Sequence, residues 1–292
     1  MMRIARVFPS RTNLTPTDEL AFTCFQPPFT LTDVHEVHIS VTFTWDLPRA
    51  EQMAEAWRVL GVPVLMGGPA FNQPSGEFIP GMYVKHGVTI TSRGCPNHCW
   101  FCAVPKREGS RLRELPIKDG WNILDDNLLA CSDVHIRAVF HMLARQPEQA
   151  LFTGGLEARL LKPWHAALLR KIKARRMYFA FDTPDDYEPL VCAGRIMQHE
   201  GHRFKDHGMA CYVLIGYQGD SYDKAEKRLI DTIKAGFIPY AMLYRGPDGA
   251  KDPVWGRFQR EWLRPEIVGK KYGKYFAEEL QCGPESGREV ST

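Results

Sequence analysis

The chain has 292 residues, of which 44% are hydrophobic and 24% are charged, and its net charge is +3. These values are ordinary for a globular protein, and the length suits one large α/β domain or a domain with a smaller appendage. The weak net charge gives no indication of a dedicated nucleic-acid binder, which usually carries a marked basic excess. Nucleic acid therefore remains a possible partner, but the composition gives no support for it.

The N-terminus lacks the apolar segment of a signal peptide, and no apolar run approaches the roughly 18 residues that span a bilayer. We therefore expect a cytoplasmic protein without a membrane segment. Thiols in the cytoplasm are kept reduced, so a disulfide framework is not expected there. The eight cysteines of this chain point instead to metal binding or catalysis.

A small α/β unit, residues 1–85, is predicted at the start of the chain. Residues 37–43 are rich in β-branched side chains and predict a strand, and residues 62–66 predict a second one. An amphipathic helix is predicted between them, with Asp46 as its N-cap and Gly61 as its end. The pattern is therefore one βαβ unit, which is too small for a complete dinucleotide-binding domain.

Strand and helix patterns alternate regularly over residues 86–245. Six strands are predicted there, at residues 88–91, 121–124, 150–153, 177–181, 210–215 and 238–243. Such alternation predicts a parallel sheet, and six strand–helix repeats predict a partial β/α barrel. Folds of this kind gather their chemistry at the carboxyl ends of the strands. The remaining residues, 246–292, are predicted to form a C-terminal extension.

The most informative motif follows the first strand of this predicted barrel. Cys95, Cys99 and Cys102 lie close together in one loop. Thiolates hold iron–sulfur clusters, and a four-iron cluster normally takes four of them, so three cysteines leave one iron with an open position. A structural zinc site usually needs two pairs of ligands, and the chain has no second Cys-x-x-Cys. The motif therefore favours an iron–sulfur site, with zinc as the alternative.

The Cys-x3-Cys-x2-Cys spacing, with aromatic Phe101 before the last cysteine, resembles the signature of the radical S-adenosylmethionine superfamily. The resemblance covers residues 87–245. It implies that the three cysteines bind a [4Fe–4S] cluster, that S-adenosylmethionine chelates the fourth iron, and that Phe101 lies against the adenine. The reduced cluster would cleave the cofactor to a 5′-deoxyadenosyl radical, which abstracts hydrogen from a substrate. A one-electron reductant such as flavodoxin or ferredoxin is implied as a partner.

The same resemblance implies cofactor contacts at the ends of the second and third strands. The family commonly holds the cofactor's ammonium group after the second strand, where this chain has Asp125, Asp126 and Asn127 instead of the usual Gly-Gly-Glu. After the third strand, Glu157 and Arg159 stand in a stretch similar to the Gly-Leu-Asp-Ala-Arg of several radical enzymes. This pair would reach the amino and carboxylate groups of the cofactor.

Two further contacts are implied at the ends of the fourth and fifth strands. Asp182 would bind the ribose hydroxyls, and the loop that contains Gly216 would pack on the adenine. Each of these contacts has a structural alternative. The acidic residues after the second and fourth strands can cap the helices that follow, the Glu/Arg pair can form a salt bridge, and the glycine can simply make a turn.

Residues 1–85 resemble the second half of the cobalamin-binding domains that often precede such barrels. They lack the Asp-x-His-x-x-Gly loop whose histidine can ligate cobalt, so we expect a shortened unit that no longer binds cobalamin. The expected reaction is hydrogen abstraction from an unidentified substrate. Two alternatives stay open: radical methyl or methylthio transfer to RNA or another large substrate, and a non-catalytic iron–sulfur or zinc-binding protein.

Overall fold

A computed structural model describes residues 2–263 together with 268, 269 and 273. Within this part of the chain there are two larger parallel sheets, each packed against its own hydrophobic core, so the protein is α/β. The C-terminal extension predicted from residue 246 lies partly outside the described residues. None of the described helices is long and apolar enough to cross a membrane.

The N-terminal unit is a four-stranded parallel sheet with one helix. Its strands are β1 (Ile4–Val7), β2 (Ala21–Phe22), β3 (Glu36–Ser40) and β4 (Val64–Gly67), in the order β2-β1-β3-β4. Helix α1 (Leu47–Trp57) shares a buried core with the sheet, in which Met53 and Trp57 pack with Val37 and Ile39. Asp46 stands at the N-cap position, as predicted, but its side chain makes no capping hydrogen bond.

Eight strands follow in the rest of the described chain. They are β5 (Val88–Thr89), β6 (Ser92–Arg93), β7 (Arg113–Glu114), β8 (Asn122–Ile123), β9 (Leu151–Phe152), β10 (Arg176–Ala180), β11 (Met209–Ile215) and β12 (Ile238–Leu243). Six of them form a parallel sheet in the order β5-β8-β9-β10-β11-β12, so neighbours in the sheet follow one another along the chain. The short strands β6 and β7 pair antiparallel beside the first strand.

Within the described residues, six helices accompany these strands, and the last of them follows the final strand. They are α2 (Val104–Arg107), α3 (Asp133–Leu143), α4 (Pro163–Lys171), α5 (Tyr187–His199), α6 (Tyr222–Lys234) and α7 (Pro253–Trp262). One side of the sheet, with Phe152, Phe179 and Val213, is buried in a common core with residues of these helices such as Leu190 and Leu229. From β8 onward each strand is followed by a helix, which is the regular alternation that the sequence predicted.

The alternate residues of the last three strands point away from that core. Tyr178, Tyr212, Tyr240 and Met242 are half-buried or exposed. The rings of Tyr178 and Tyr212 stack with centroids 4.3 Å apart, and Tyr240 meets both of them edge-on. The two sides of β10–β12 therefore differ: one is an apolar core, and the other carries a partly exposed cluster of tyrosines.

All six strands predicted for the second sheet are confirmed, but the first three are two residues long rather than four. At the end of β5, for example, the backbone N–H of Thr91 donates to the side chain of Asp125 rather than to a neighbouring strand. In the N-terminal unit the sequence predicted β3, α1 and β4 and missed β1 and β2. Four and two residues are too few for an alternating pattern to stand out.

A glycine within α5 gives a test of the packing between helices. An ideal Cβ on Gly194 would lie 2.1 Å from the carbonyl oxygen of Ala235, just after α6. Alanine normally stabilises a helix by about 1 kcal/mol relative to glycine. We nevertheless expect Gly194→Ala to lower the free energy of unfolding by about 2 kcal/mol, because backbone must move to admit the methyl group. Urea denaturation measures this change.

Gly256 of α7 is the matched control for this substitution. The nearest atom to its ideal Cβ is Nη1 of Arg260 at 3.7 Å, an ordinary contact with a flexible side chain. Gly256→Ala should therefore raise the free energy of unfolding by about 0.5–1 kcal/mol. A gain of stability in both variants would show that α5 and the end of α6 are not packed as closely as described.

Candidate functional site

The carboxylate of Asp125 fixes the start of the cysteine loop (residues 94–103). Asp125 follows β8 and is only 2% exposed. It accepts hydrogen bonds from the backbone N–H of Thr91 at 2.6 Å and from the hydroxyls of Thr91 and Ser92 at 2.6 and 2.9 Å. Burial raises the pKa of Asp125, against the lowering effect of these donors. The ends of β5 and β8 are thereby joined immediately before the first cysteine of the motif.

Asp126 links the start of the same loop to the helix that follows it. Its carboxylate accepts the backbone N–H of Gly94 at 2.9 Å and pairs with Arg107 of α2 at 3.2 Å. Arg107 also pairs with the fully buried side chain of Glu108, which accepts the hydroxyl of Ser75 at 2.6 Å. The segment between the two sheets is therefore tied to the residues that follow the cysteine loop.

Asn127 connects the first cysteine to the end of β9. Its Nδ2 donates to Oε2 of Glu157 at 2.6 Å and to Sγ of Cys95 at 3.5 Å. Its Oδ1 is buried and has no hydrogen-bond partner among the described residues. An acceptor buried without a donor is costly. The arrangement therefore fits a bound group that donates hydrogen bonds between Asn127 and Glu157.

The three cysteines influence one another. Cys95 and Cys102 are half-buried and Cys99 is exposed. Sγ of Cys102 accepts the backbone N–H of Val104 at 3.4 Å. Burial raises the pKa of both Cys99 and Cys102, and negative charge on the neighbouring cysteines raises it further. A cation between the sulfurs would reverse this effect and favour the thiolates.

The loop carries these thiols without gathering them around one point. In the part of the chain that the structure describes, no group of three or more His, Cys, Asp or Glu side chains could hold a metal ion. A single zinc ion needs four ligands around one centre, whereas each thiolate of a four-iron cluster binds its own iron. The donor set of three soft thiolates, two of them accepting N–H groups, fits the chemistry of such a cluster.

Aromatic rings surround the middle of the cysteine loop. Trp100 is 56% exposed and contacts Phe101, Tyr217 and Tyr244, with ring centroids 5.3, 5.5 and 5.6 Å away. Tyr217 and Tyr244 follow β11 and β12. The loop after the first strand of the sheet thus reaches the ends of the last two strands. The sequence analysis identified Phe101 and missed the other three rings: Trp100, which precedes Phe101 in the loop, and Tyr217 and Tyr244, whose only signal was their position after strands.

Asp182 joins the ends of β10 and β11. Its Oδ1 accepts the backbone N–H of Leu214 at 2.9 Å. Burial raises its pKa to about 6, and the charge of nearby Asp186 acts in the same direction. Helix capping was the structural alternative for the acidic residues of this turn, and Asp186 provides it. Its carboxylate accepts the N–H and hydroxyl groups of Thr183. Asp182 itself is a link between strands and is largely shielded from water.

Glu157 and Arg159 do not pair with each other. Glu157 accepts from Asn127, while Arg159 forms a salt bridge with Asp186 at 2.8 Å. The structural alternative for the acidic residues after β8 was that they cap the helix that follows. Asp125 and Asp126 do not cap it, because their carboxylates bind the segment that leads into the cysteine loop. The cap of α3 is Ser132, whose hydroxyl accepts the N–H of His135 at 3.2 Å.

Gly216 makes the turn after β11. Its φ is +72°, and a Cβ would lie 2.7 Å from Leu243 and 3.0 Å from Trp255, so only glycine fits. Its N–H donates to Asp220 at 2.9 Å, and Asp220 pairs with Arg228 of α6. The sequence analysis did not identify this buried ion pair, because its two residues are eight positions apart in a turn and a helix and no local pattern links them.

No protein-family model matches this chain, and no curated protein matches it. The function of the site must therefore be inferred from the residues themselves. The residues after β5, β8 and β9 are joined by direct hydrogen bonds, and the salt bridge of Arg159 with Asp186 links the end of β9 to the residues after β10.

The buried carboxyl of Asp182 predicts how the stability of the metal-free chain depends on pH. Its pKa is about 6 in the native state, against an ordinary value of 3.8. The native state therefore holds the proton more tightly than the unfolded state, and the contribution of Asp182 to stability falls as pH rises between these values. Asp182→Asn keeps an acceptor for Leu214 and removes the titration.

We expect the stability of the wild-type chain relative to Asp182→Asn to fall by about 2 kcal/mol between about pH 4 and pH 7. Urea unfolding of both chains across this range measures the difference. A difference that stays constant, or that grows with pH, would contradict the raised pKa.

Proposed function

We propose that this protein is a radical S-adenosylmethionine enzyme whose [4Fe–4S] cluster is held by Cys95, Cys99 and Cys102. The observation that carries the proposal is the buried, unpartnered Oδ1 of Asn127, beside both Cys95 and the carboxylate of Glu157. The site thus combines soft thiolate ligands with acceptors for a positively charged donor. S-adenosylmethionine, which carries an ammonium group and binds an open iron, matches both requirements.

When bound, the cluster supplies the electron that cleaves a carbon–sulfur bond of S-adenosylmethionine, and the resulting 5′-deoxyadenosyl radical abstracts hydrogen from the substrate. In this proposal Asn127 and Glu157 hold the ammonium group by charge-assisted hydrogen bonds. Phe101 would cover the adenine, and Trp100 with its tyrosine neighbours would form one aromatic wall of the site.

The residues after the later strands complete the cofactor site in this proposal. Gly216 admits the adenine because no side chain stands there. Asp182 uses one oxygen for Leu214 and offers the other to the ribose hydroxyls. Arg159 would bind the cofactor's carboxylate after leaving Asp186. That exchange costs little, because a salt bridge whose guanidinium is nearly half exposed contributes only about 0–1 kcal/mol.

We also infer that the six-stranded sheet curves into a partial β/α barrel. Its strands follow chain order, and right-handed crossovers then place all the helices on one side. The contacts of Trp100 with Tyr217 and Tyr244 support this curvature, since they join loops from opposite edges of the sheet. The partly exposed tyrosine cluster would then face the interior, where the substrate binds.

The proposal includes a cytoplasmic location and an external electron donor. Reducing conditions keep the cysteines available as thiolates. Flavodoxin and ferredoxin are the kinds of one-electron reductant that such chemistry uses. Cys99 and Trp100 are exposed, so this part of the loop is accessible to such a donor.

Serine substitutions of the cysteines test the proposal most directly. The chain is reconstituted anaerobically with iron and sulfide, and iron content, the electron paramagnetic resonance of the reduced cluster and release of 5′-deoxyadenosine are measured. Cys95→Ser, Cys99→Ser and Cys102→Ser should each slow the cleavage by about 100-fold or more, beyond the 10–100-fold typical of residues that only support a ligand.

Cys24→Ser and Cys192→Ser are the matched controls, because both thiols are exposed and lie outside the cysteine loop. They should retain wild-type iron content and cleavage. If the wild-type chain binds zinc instead and releases no 5′-deoxyadenosine, the proposal is wrong and the protein is a non-catalytic metal binder.

Glu157→Gln tests the proposed ammonium contact. It removes the charge and keeps an acceptor for Asn127, so iron content should not change. The KM for S-adenosylmethionine should rise about tenfold, which corresponds to about 1.4 kcal/mol and to one charge-assisted hydrogen bond. Glu55→Gln is the control, since Glu55 is exposed on α1 and pairs with Arg58. An unchanged KM in the iron-loaded Glu157→Gln chain would rule out this contact.

A further inference from the structure

A buried ion pair lies behind the turn that follows β11. Nη2 of Arg228 is 2.8 Å from Oδ2 of Asp220, and their side chains are 10% and 0% exposed. The same nitrogen donates to the carbonyl of Leu214 at 2.9 Å, while Oδ2 of Asp220 accepts the N–H of Gly216 at 2.9 Å. The pair therefore fixes the backbone just before the turn and within it.

Arg228 also fixes the side chain of Tyr217, the residue that follows the turn glycine. Its Cζ lies 5.3 Å from the ring centroid of Tyr217, which is within the range of a cation–π contact and stronger when the cation is shielded from water. Because Gly216 is already held by Asp220, the ring of Tyr217 is fixed both by the backbone that carries it and by the guanidinium.

Tyr217 in turn contacts the cysteine loop. Its ring meets Trp100 edge-on, with centroids 5.5 Å apart and planes 67° apart, a geometry that aromatic pairs favour. Trp100 stands next to Cys99, and the loop around both is outside any helix or strand. One backbone hydrogen bond, from Cys102 to the carbonyl of Cys99 at 3.0 Å, closes a turn there, and the side-chain contacts of Trp100 position that turn relative to the sheet.

We infer that Arg228 is a positioning residue for the cysteine loop, acting through Tyr217 and Trp100 on the site of Cys99. Its relevance to catalysis rests on the function proposed above, but the contacts themselves belong to the metal-free chain. The inference can therefore be tested before any iron is added.

The test follows the accessibility of Trp100. Its fluorescence is isolated by subtracting the emission of the Trp100→Phe chain in each background, and its quenching by acrylamide is measured. Arg228→Met should raise the quenching constant of Trp100 by about 1.5-fold, since it loosens one of the three rings that cover it. Lys227→Met is the matched control, because Lys227 is the preceding cation of α6 and its side chain is 76% exposed. The Lys227→Met substitution should leave the quenching constant of Trp100 unchanged.

Two further variants keep the test decisive. Arg228→Met leaves the carboxylate of Asp220 buried without its partner, so the double variant Asp220→Asn/Arg228→Met is measured as well, and far-UV circular dichroism establishes which chains are folded. Arg228→Lys retains a cation and should restore most of the protection of Trp100. If Trp100 is quenched equally in the wild type and in a folded variant without Arg228, the inference is overturned.

A double-mutant cycle with Tyr217→Leu tests the proposed route. If Arg228 acts through Tyr217, Arg228→Met should cause no further change in quenching once Tyr217 is replaced. An undiminished effect in that background would overturn the route.

The same chains are then reconstituted with iron and sulfide. Loosening of the loop should alter the electron paramagnetic resonance line shape of the Arg228→Met cluster and leave that of Lys227→Met as in the wild type, whereas identical spectra would overturn a role at the cluster. Failure of the wild-type chain to bind iron would refute the proposed function alone, because the quenching cycle would still decide whether Arg228 positions the loop.

Discussion

At the ends of β5 and β8, a carboxylate that is almost entirely shielded from water accepts three short hydrogen bonds from Thr91 and Ser92. A buried charge must find such donors or destabilise the fold by several kcal/mol. Because Asp125 finds them on the neighbouring strand, the two strand ends are held together. Asp126 and Asn127, the residues that follow, are then directed at the cysteine loop. The position of the first cysteine depends on this one buried group.

Similar links recur around the sheet. Where a parallel strand leaves its ladder, backbone N–H groups lose their partners and must find others. Asp125 supplies an acceptor between β5 and β8, Asp182 does so between β10 and β11, and Asp220 does so within the turn after β11. Asn127 and Glu157 join β8 to β9 through side chains. Acidic groups thus stabilise the edge of the sheet from which the cysteine loop emerges.

The sequence predicted the larger sheet well because its strands are local patterns of apolar, β-branched residues between helices with clear apolar faces. It also identified the cysteine loop, since ligand spacing is a property of the chain itself. The partners of the acidic residues could not be predicted in this way. Whether Arg159 meets Glu157 or Asp186 depends on the relative heights of adjacent strand ends, which no local pattern encodes. The contact of Trp100 with Tyr217 likewise depends on how far the loop extends over the sheet.

The hydrogen bonds of Asp125, Asp126 and Asn127 hold the cysteine loop with protein groups alone. Where a metal organises its own binding loop, losing the metal means losing the fold, as in small zinc domains. Here the conformational entropy lost in ordering the start and the end of the loop is already offset when the chain folds. If the proposed cluster binds here, its destruction by oxygen would therefore leave both attachments of the loop in place, and reassembly would need fresh iron and sulfide rather than a newly synthesised chain.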